Sequence, residues 1–157
     1  MMRHQRGSSL IEVMVALLIM AIGLLGAAAI QLNALKFTDS STLRTKASYI
    51  AYDMMDRIRA NPGSNYTLAN LAAAPTAGSA TPLTQDLFDF STALKGQLGA
   101  TADASIAKNG YVYTITVSWD DTRAASAVNT SNGVTGEANL QTFKLVSRVA
   151  MDTVVTP

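Results

Sequence analysis

The 157-residue chain contains no cysteine and a single histidine, His4. The absence of thiols excludes disulfide staples, thiolate nucleophiles and cysteine-ligated zinc. One histidine leaves no imidazole pair for a metal site or an acid–base relay. The sequence also lacks a glycine-rich phosphate loop, a nucleophile elbow and any metal-ligand spacing, so no cofactor is expected and the chain is read as a non-enzyme. Of 12 basic and 11 acidic residues, removing Arg3 and Arg6 with residues 1–7 leaves 10 against 11. A balance so close to zero offers no field to draw a polyanion, and nucleic acid is not predicted as a partner.

Charge is missing most conspicuously over residues 13–30, which are 18 positions without an ionisable group. Extended back through Leu10 and Ile11, this run reaches the roughly 20 residues that cross a bilayer core of about 30 Å. Arg3, His4 and Arg6 precede it with no acid among them, so the N-terminus is expected in the cytoplasm and the rest of the chain outside. A secretory signal peptide would have a shorter apolar core, of about 7–15 residues. Glu12 stands at the head of this run. A carboxylate at mid-bilayer costs on the order of 2.5–3.5 kcal/mol, less near the edge, and marks a function with a cationic partner.

Helical patterning continues past the apolar run. Leu43, Ala47, Ile50, Ala51, Met54 and Ile58 recur at three- and four-residue steps and form one apolar stripe. Asp53 with Arg57 and Asp56 with Arg59 are spaced for local ion pairs, each adding a few tenths of a kcal/mol. Asn61-Pro62-Gly63 ends the pattern, because a residue before proline is pushed out of helical dihedrals and asparagine tolerates a left-handed cap. One helix from Ser9 to Ala60 would be about 75–80 Å long at 1.5 Å per residue. Tyr49 and Tyr52, beside the stripe, either face a neighbouring subunit or cap the core, and capping the core is the expectation.

Residues 72–82, "AAAPTAGSATP", read as a loop. Thr84 is then expected to cap a short helix whose apolar side is Leu87, Phe90, Ala93 or Leu94, and Leu98, ending near Gly99. In "YVYTITVSW", Tyr111, Tyr113, Ile115, Val117 and Trp119 alternate with mostly hydroxyl-bearing positions, the pattern of a strand with one buried face. "QTFKLVSRVAM" repeats the alternation with Phe143, Leu145, Val149 and Met151. The two strands are expected to pair antiparallel across a long polar loop, with the helix stripe covering their apolar face. Asp120-Asp121 reads as a turn after the first strand rather than a metal pair.

"GSSLIE" at residues 7–12, followed by an apolar helix, resembles the leader of type IV pilins and pseudopilins. The resemblance implies cleavage after Gly7 by prepilin peptidase, N-methylation of the new first residue Ser8, and a role for Glu12, then the fifth residue, in docking a subunit into a filament. Cleavage would create a cationic amine at Ser8, close to Glu12. The family's usual first residue is Phe or Met, where this chain has serine. A costly charge relieved only at one axial height selects a register, whereas apolar helices alone would slide.

Two blocks, "LIEVMVALLIMAIGLLGAAAIQL" and "YIAYDMMDRIRANPG", resemble those of PilV-type minor pilins, the type IV pilus modification proteins. The expected fold class is α+β, a pilin-like lollipop with the long N-terminal helix packed on a small antiparallel sheet. It divides into a leader (1–7), the membrane half of the helix (8–30), its amphipathic half (31–61) and a periplasmic globular part (62–157). The resemblance implies a minor pilin that primes pilus assembly at or near the tip, with Asp53, Asp56, Arg57 and Arg59 as a candidate subunit interface. Implied partners are other minor pilins, the major pilin, prepilin peptidase, the inner-membrane assembly platform and a tip adhesin. The implied location is the inner membrane before assembly and the cell surface after it. Rival readings are a minor pseudopilin of a type II secretion system and a single-pass anchored binding domain that never polymerises.

Overall fold

The computed structural model describes residues 9–78, 81–122 and 140–149. Its first element, α1 (Leu10–Ala60), is a single helix of 51 residues, about 77 Å at 1.5 Å per residue. It is long and apolar enough at its N-terminal end to cross a membrane. No proline interrupts it, and the proline at position 62 ends it. Asn61 takes φ −132° and ψ 63° and donates its N–H to the Arg57 carbonyl at 3.1 Å. The left-handed cap expected at Asn61 is therefore not formed; the ring of Pro62 excludes the helical well, and the chain leaves through an extended φ.

The stripe predicted on the second half of α1 is buried from Ala47 onward, where Ala47, Ile50, Ala51, Met54 and Ile58 are all at most 4% exposed and Met55 joins them, while Leu43 at its start is only partly buried against the core. Met55 lies about 100° from Met54 around the axis, so the core covers a wider arc than the stripe alone. Tyr49 and Tyr52 correct the reading in the other direction, being 71% and 53% exposed. Tyr49 is one step before Ile50, enough to turn it away from the core.

The second helix, α2 (Pro82–Leu98), begins three residues earlier than Thr84 would have placed it. Thr81 is the cap, accepting the Thr84 N–H, and Pro82 occupies the first helical position, where the missing N–H costs nothing. Leu87, Phe90, Leu94 and Leu98 form its buried side. Part of the loop before it is a short 3-10 turn, Leu71–Ala73.

Three strands follow, β1 (Asp103–Asn109), β2 (Val112–Asp120) and β3 (Leu140–Arg148), in the antiparallel order β1-β2-β3. The expected pairing of β2 with β3 is present, with Ile115 opposite Leu145. β1 adds a strand on the other edge of β2, turning through Gly110 at φ 59°. A glycine with positive φ first in a two-residue hairpin loop, followed by Tyr111 with negative φ, fits the right-handed twist of the strands. Tyr111 lies in that turn, outside β2 and 52% exposed, not on the core face. Tyr113, Ile115, Val117 and Trp119 do face the core, each at most 2% exposed. Val149 closes the core beyond β3, and Met151 lies outside the described residues. The result is an α+β lollipop: a long helix whose C-terminal half packs on a three-stranded sheet, with α2 against its other side.

Candidate functional site

The N-terminal determinants start at a helix end. Ser9 caps α1 in extended conformation, and its carbonyl accepts the N–H groups of Glu12 at 2.9 Å and Val13 at 3.2 Å. Ser9 and Glu12 thus occupy the first and fourth positions of a capping box, yet the Ser9 side chain makes no capping hydrogen bond. Glu12 is the only acid in the first turn of α1, where the positive end of the helix dipole favours a carboxylate. Gly7 and Ser8, the expected cleavage and methylation positions, lie outside the described residues. From Leu10 to Ile30, the large apolar side chains of the helix stand 48–79% exposed. No part of the chain's own described fold covers them.

The second candidate group sits where α1 ends. Arg57 donates from Nε to Asp53 Oδ2 at 2.9 Å, as its spacing predicts, but its Nη1 reaches α2 as well. It meets Asp86 Oδ1 at 2.9 Å and Asp89 Oδ2 at 3.2 Å. Asp86 in turn accepts the Tyr66 hydroxyl at 2.7 Å, and Asn61 donates to Tyr66 Oη at 3.3 Å. The hydrogen bond to Asp86 is the largest influence raising the Arg57 pKa, against the opposing effect of burial. The Tyr66 phenol is held above its usual range, first by burial and then by donation to Asp86. Arg57 is therefore a clasp between α1 and α2.

Arg59 points elsewhere. Two residues along a helix is about 200° around it, so Arg59 faces the sheet, pairing with Asp56 at 2.7 Å and donating to Ser147 Oγ on β3 at 2.7 Å. The Asp53 and Asp56 side chains are 51% and 70% exposed. Of the four residues expected at a subunit interface, the two arginines engage this chain's own fold and the two aspartates face outward.

Asp120 accepts the Thr122 N–H at 3.0 Å, the local bond of a turn. Asp121 differs from that reading: it is 4% exposed and accepts a hydrogen bond from Ser40 of α1. It thus fastens the end of β2 to the helix. The described residues hold no group of three or more His, Cys, Asp or Glu suited to a metal.

Residues 2–28 match the prokaryotic N-terminal methylation motif. The chain carries that motif. It spans Gly7, Ser8 and Glu12 together with the exposed apolar half of α1, and it supports the general class of type IV pilins and pseudopilins, whose members are structural subunits. The motif and the apolar helix fit an inner-membrane-anchored subunit that prepilin peptidase processes and that assembles with other pilins. No curated protein and no solved structure matches the chain significantly.

Proposed function

We propose that this chain is a PilV-like minor pilin, cleaved after Gly7, N-methylated at Ser8, and incorporated at or near the tip of a type IV pilus, where it helps prime assembly. The methylation motif over residues 2–28 carries the reading. The fold supports it: an exposed apolar helix of membrane length projects from a head whose core is complete without it. Glu12 sets the axial register by pairing with the Ser8 amine of a neighbour, while the apolar flanks supply adhesion without selecting a height. Asp53 and Asp56, exposed beside their arginines, form the outer part of a subunit interface at the end of the helix. The partners are other minor pilins, the major pilin, the inner-membrane assembly platform and a tip adhesin, with the head in the periplasm before assembly and at the cell surface after it.

The deciding test is the intact mass of the chain extracted from membranes of cells with and without prepilin peptidase. A peptidase-dependent species beginning at Ser8 with one added methyl is the expected result. A chain retaining residues 1–7 in both would leave a static anchor, for which Glu12→Ala should be indifferent. The same leader also serves minor pseudopilins of type II secretion, favoured if the mature chain co-purifies with secretion components instead of pilus tip subunits.

A further inference from the structure

An asparagine amide is open to attack by the backbone nitrogen of the next residue when both groups are free and the next side chain is small. Among the described residues, four asparagines are held in ways that oppose this and a fifth is not. Asn33 lies inside α1, where helix hydrogen bonds engage the following N–H. Asn61 precedes Pro62, which has no N–H. Asn65 accepts the Thr67 N–H and is followed by the buried Tyr66. Asn70 accepts the Ala73 N–H at 3.1 Å, and the next N–H, that of Leu71, donates to Asp103 Oδ1 at 2.7 Å. Asn109, the last residue of β1, differs from all four. It is exposed, its side chain makes no hydrogen bond among the described residues, and the N–H of Gly110 meets no acceptor among them. Gly110 has no side chain to hinder the attack, and the space where one would stand is open: a Cβ there would have no neighbour within 4 Å beyond the adjoining residues.

We propose that Asn109-Gly110 is a site of spontaneous covalent modification, at which Asn109 is converted to aspartate and isoaspartate through a succinimide. The Gly110 nitrogen gives its proton to water and attacks Asn109 Cγ, forming a C–N bond. The bond from Cγ to the side-chain nitrogen then breaks, and that nitrogen takes up a proton and leaves as ammonia. Water opens the ring at either carbonyl, giving aspartate or isoaspartate; one water is consumed and one ammonia released, with nothing oxidised or reduced. Ring closure requires Asn109 to leave its extended backbone. Its pairing with Val112 is the last of the β1–β2 ladder before the turn, so opening the hairpin end is enough. In isoaspartate the chain runs through the side-chain carbon, so the backbone gains a methylene and the pairing with Val112 is lost. Directly opposed residues share a face of the sheet, so the new carboxylate appears on the face of Val112 and Arg148, whose guanidinium lies 5.8 Å from the Tyr111 ring beside the turn. That turn is at the end of the head away from the apolar half of α1, because Ser40 meets Asp121 at one end of β2 and Arg59 meets Ser147, opposite Tyr113, at the other. The reaction changes the charge and shape of that end with time, needs no partner protein and stands apart from the assembly function.

The test is a time course on the full chain, extracted from membranes in detergent and held at neutral pH and physiological temperature beside a synthetic peptide of residues 105–114. Samples are digested, and fragmentation in the mass spectrometer assigns each change to a residue and separates aspartate from isoaspartate. Asn109 should gain about 1 Da and yield both products. Its rate should fall below that of the peptide by about tenfold, since leaving the ladder costs about one net hydrogen bond. Asn65 and Asn70 should stay unchanged over the same period. Asn109→Gln should abolish the change at that position, because the longer side chain closes a larger ring less readily; the fluorescence of buried Trp119 verifies that the chain and the variant are folded. An Asn109 that stays intact while the peptide is consumed would overturn the proposal. So would conversion of Asn65 or Asn70 at the same rate, which would show that the bonds around them select nothing, or conversion of Asn109 only after the chain is unfolded in urea.

Discussion

The two halves of α1 belong to one unbroken helix but answer to different surroundings. In the first, Leu17, Leu18, Ile19 and Met20 are all at least 61% exposed; in the second, Met54, Met55 and Ile58 are fully buried. The apolar groups of the first half encircle the axis, as a helix does when its solvent is uniformly apolar, while those of the second gather on one side. Between them the helix changes chemistry by hydroxyls. Thr38, Thr42 and Thr45 return their hydrogen bonds to the helix, to the carbonyls of Ala34, Thr38 and Ser41 at 2.9–3.0 Å, so they add polarity without calling for a tertiary partner. The comparison teaches that this chain's own fold constrains only the second half. What constrains the first is whatever surrounds it.

The strongest way to test that division is a cavity in the second half. Met54→Ala should destabilise the head by about 2–5 kcal/mol, because a fully buried side chain at the junction of helix and sheet leaves a gap that packed neighbours cannot fill. The single tryptophan, Trp119, is 2% exposed and reports the transition by fluorescence in urea. A loss below about 1 kcal/mol would show that the head does not depend on the helix it packs against.

A smaller effect distinguishes the two arginines. Arg57→Met should cost about 1–3 kcal/mol, since it leaves Asp86, whose side chain is only 17% exposed, without its guanidinium. Arg59→Met should cost under about 1 kcal/mol, because Asp56, at 70% exposed, returns to water. Equal losses from the two, measured as urea midpoints, would remove the clasp assigned to Arg57.

These contrasts also show which features were legible before the fold. The stripe on α1 and the alternation in β2 are readable because burial on one side imposes a period on the sequence. β1 escaped because "DASIAKN" gives the core only Ala104 and Ile106 and is otherwise small or polar; the Asn109-Gly110 dipeptide before β2 was the available hairpin signal. The ion pairs within α1 follow from spacing. The bonds from Arg57 to Asp86 and Asp89 and from Ser40 to Asp121 do not, since their partners are 29, 32 and 81 residues away and meet only through packing. The N-terminal motif was legible because its chemistry is local, read from six successive residues.

Tyr66 supplies a pH-dependent test of the clasp. Its phenol keeps its proton to higher pH in the fold than in the unfolded chain, through burial and the bond to Asp86. A folded pKa above the unfolded one makes stability fall as pH rises beyond the ordinary tyrosine value of about 10. Tyr66→Phe should therefore lose about 1 kcal/mol near pH 8, where the hydrogen bond is missing, and lose less than the wild type on going to about pH 11. Parallel declines in the two proteins would place the alkaline transition elsewhere.

The smallest effects belong to the first half, and their smallness is the point. Leu18→Ala and Glu12→Ala should each leave the urea midpoint of the head within about 0.5 kcal/mol of the wild type, as substitutions outside a packed core do. Leu18 is 61% exposed, and Glu12 is exposed as well. Under the proposed function the two variants then separate in a different assay. Leu18→Ala removes a little apolar surface from a helix that has much, and filament incorporation should be nearly normal; Glu12→Ala removes the one group that selects a height, and incorporation should fall sharply although the chain stays in the membrane. A shift of more than about 1 kcal/mol in the head from either variant would mean that the halves are energetically coupled through the helix. The exposed half would then be part of the folding unit, and its sequence would no longer report on the neighbours alone.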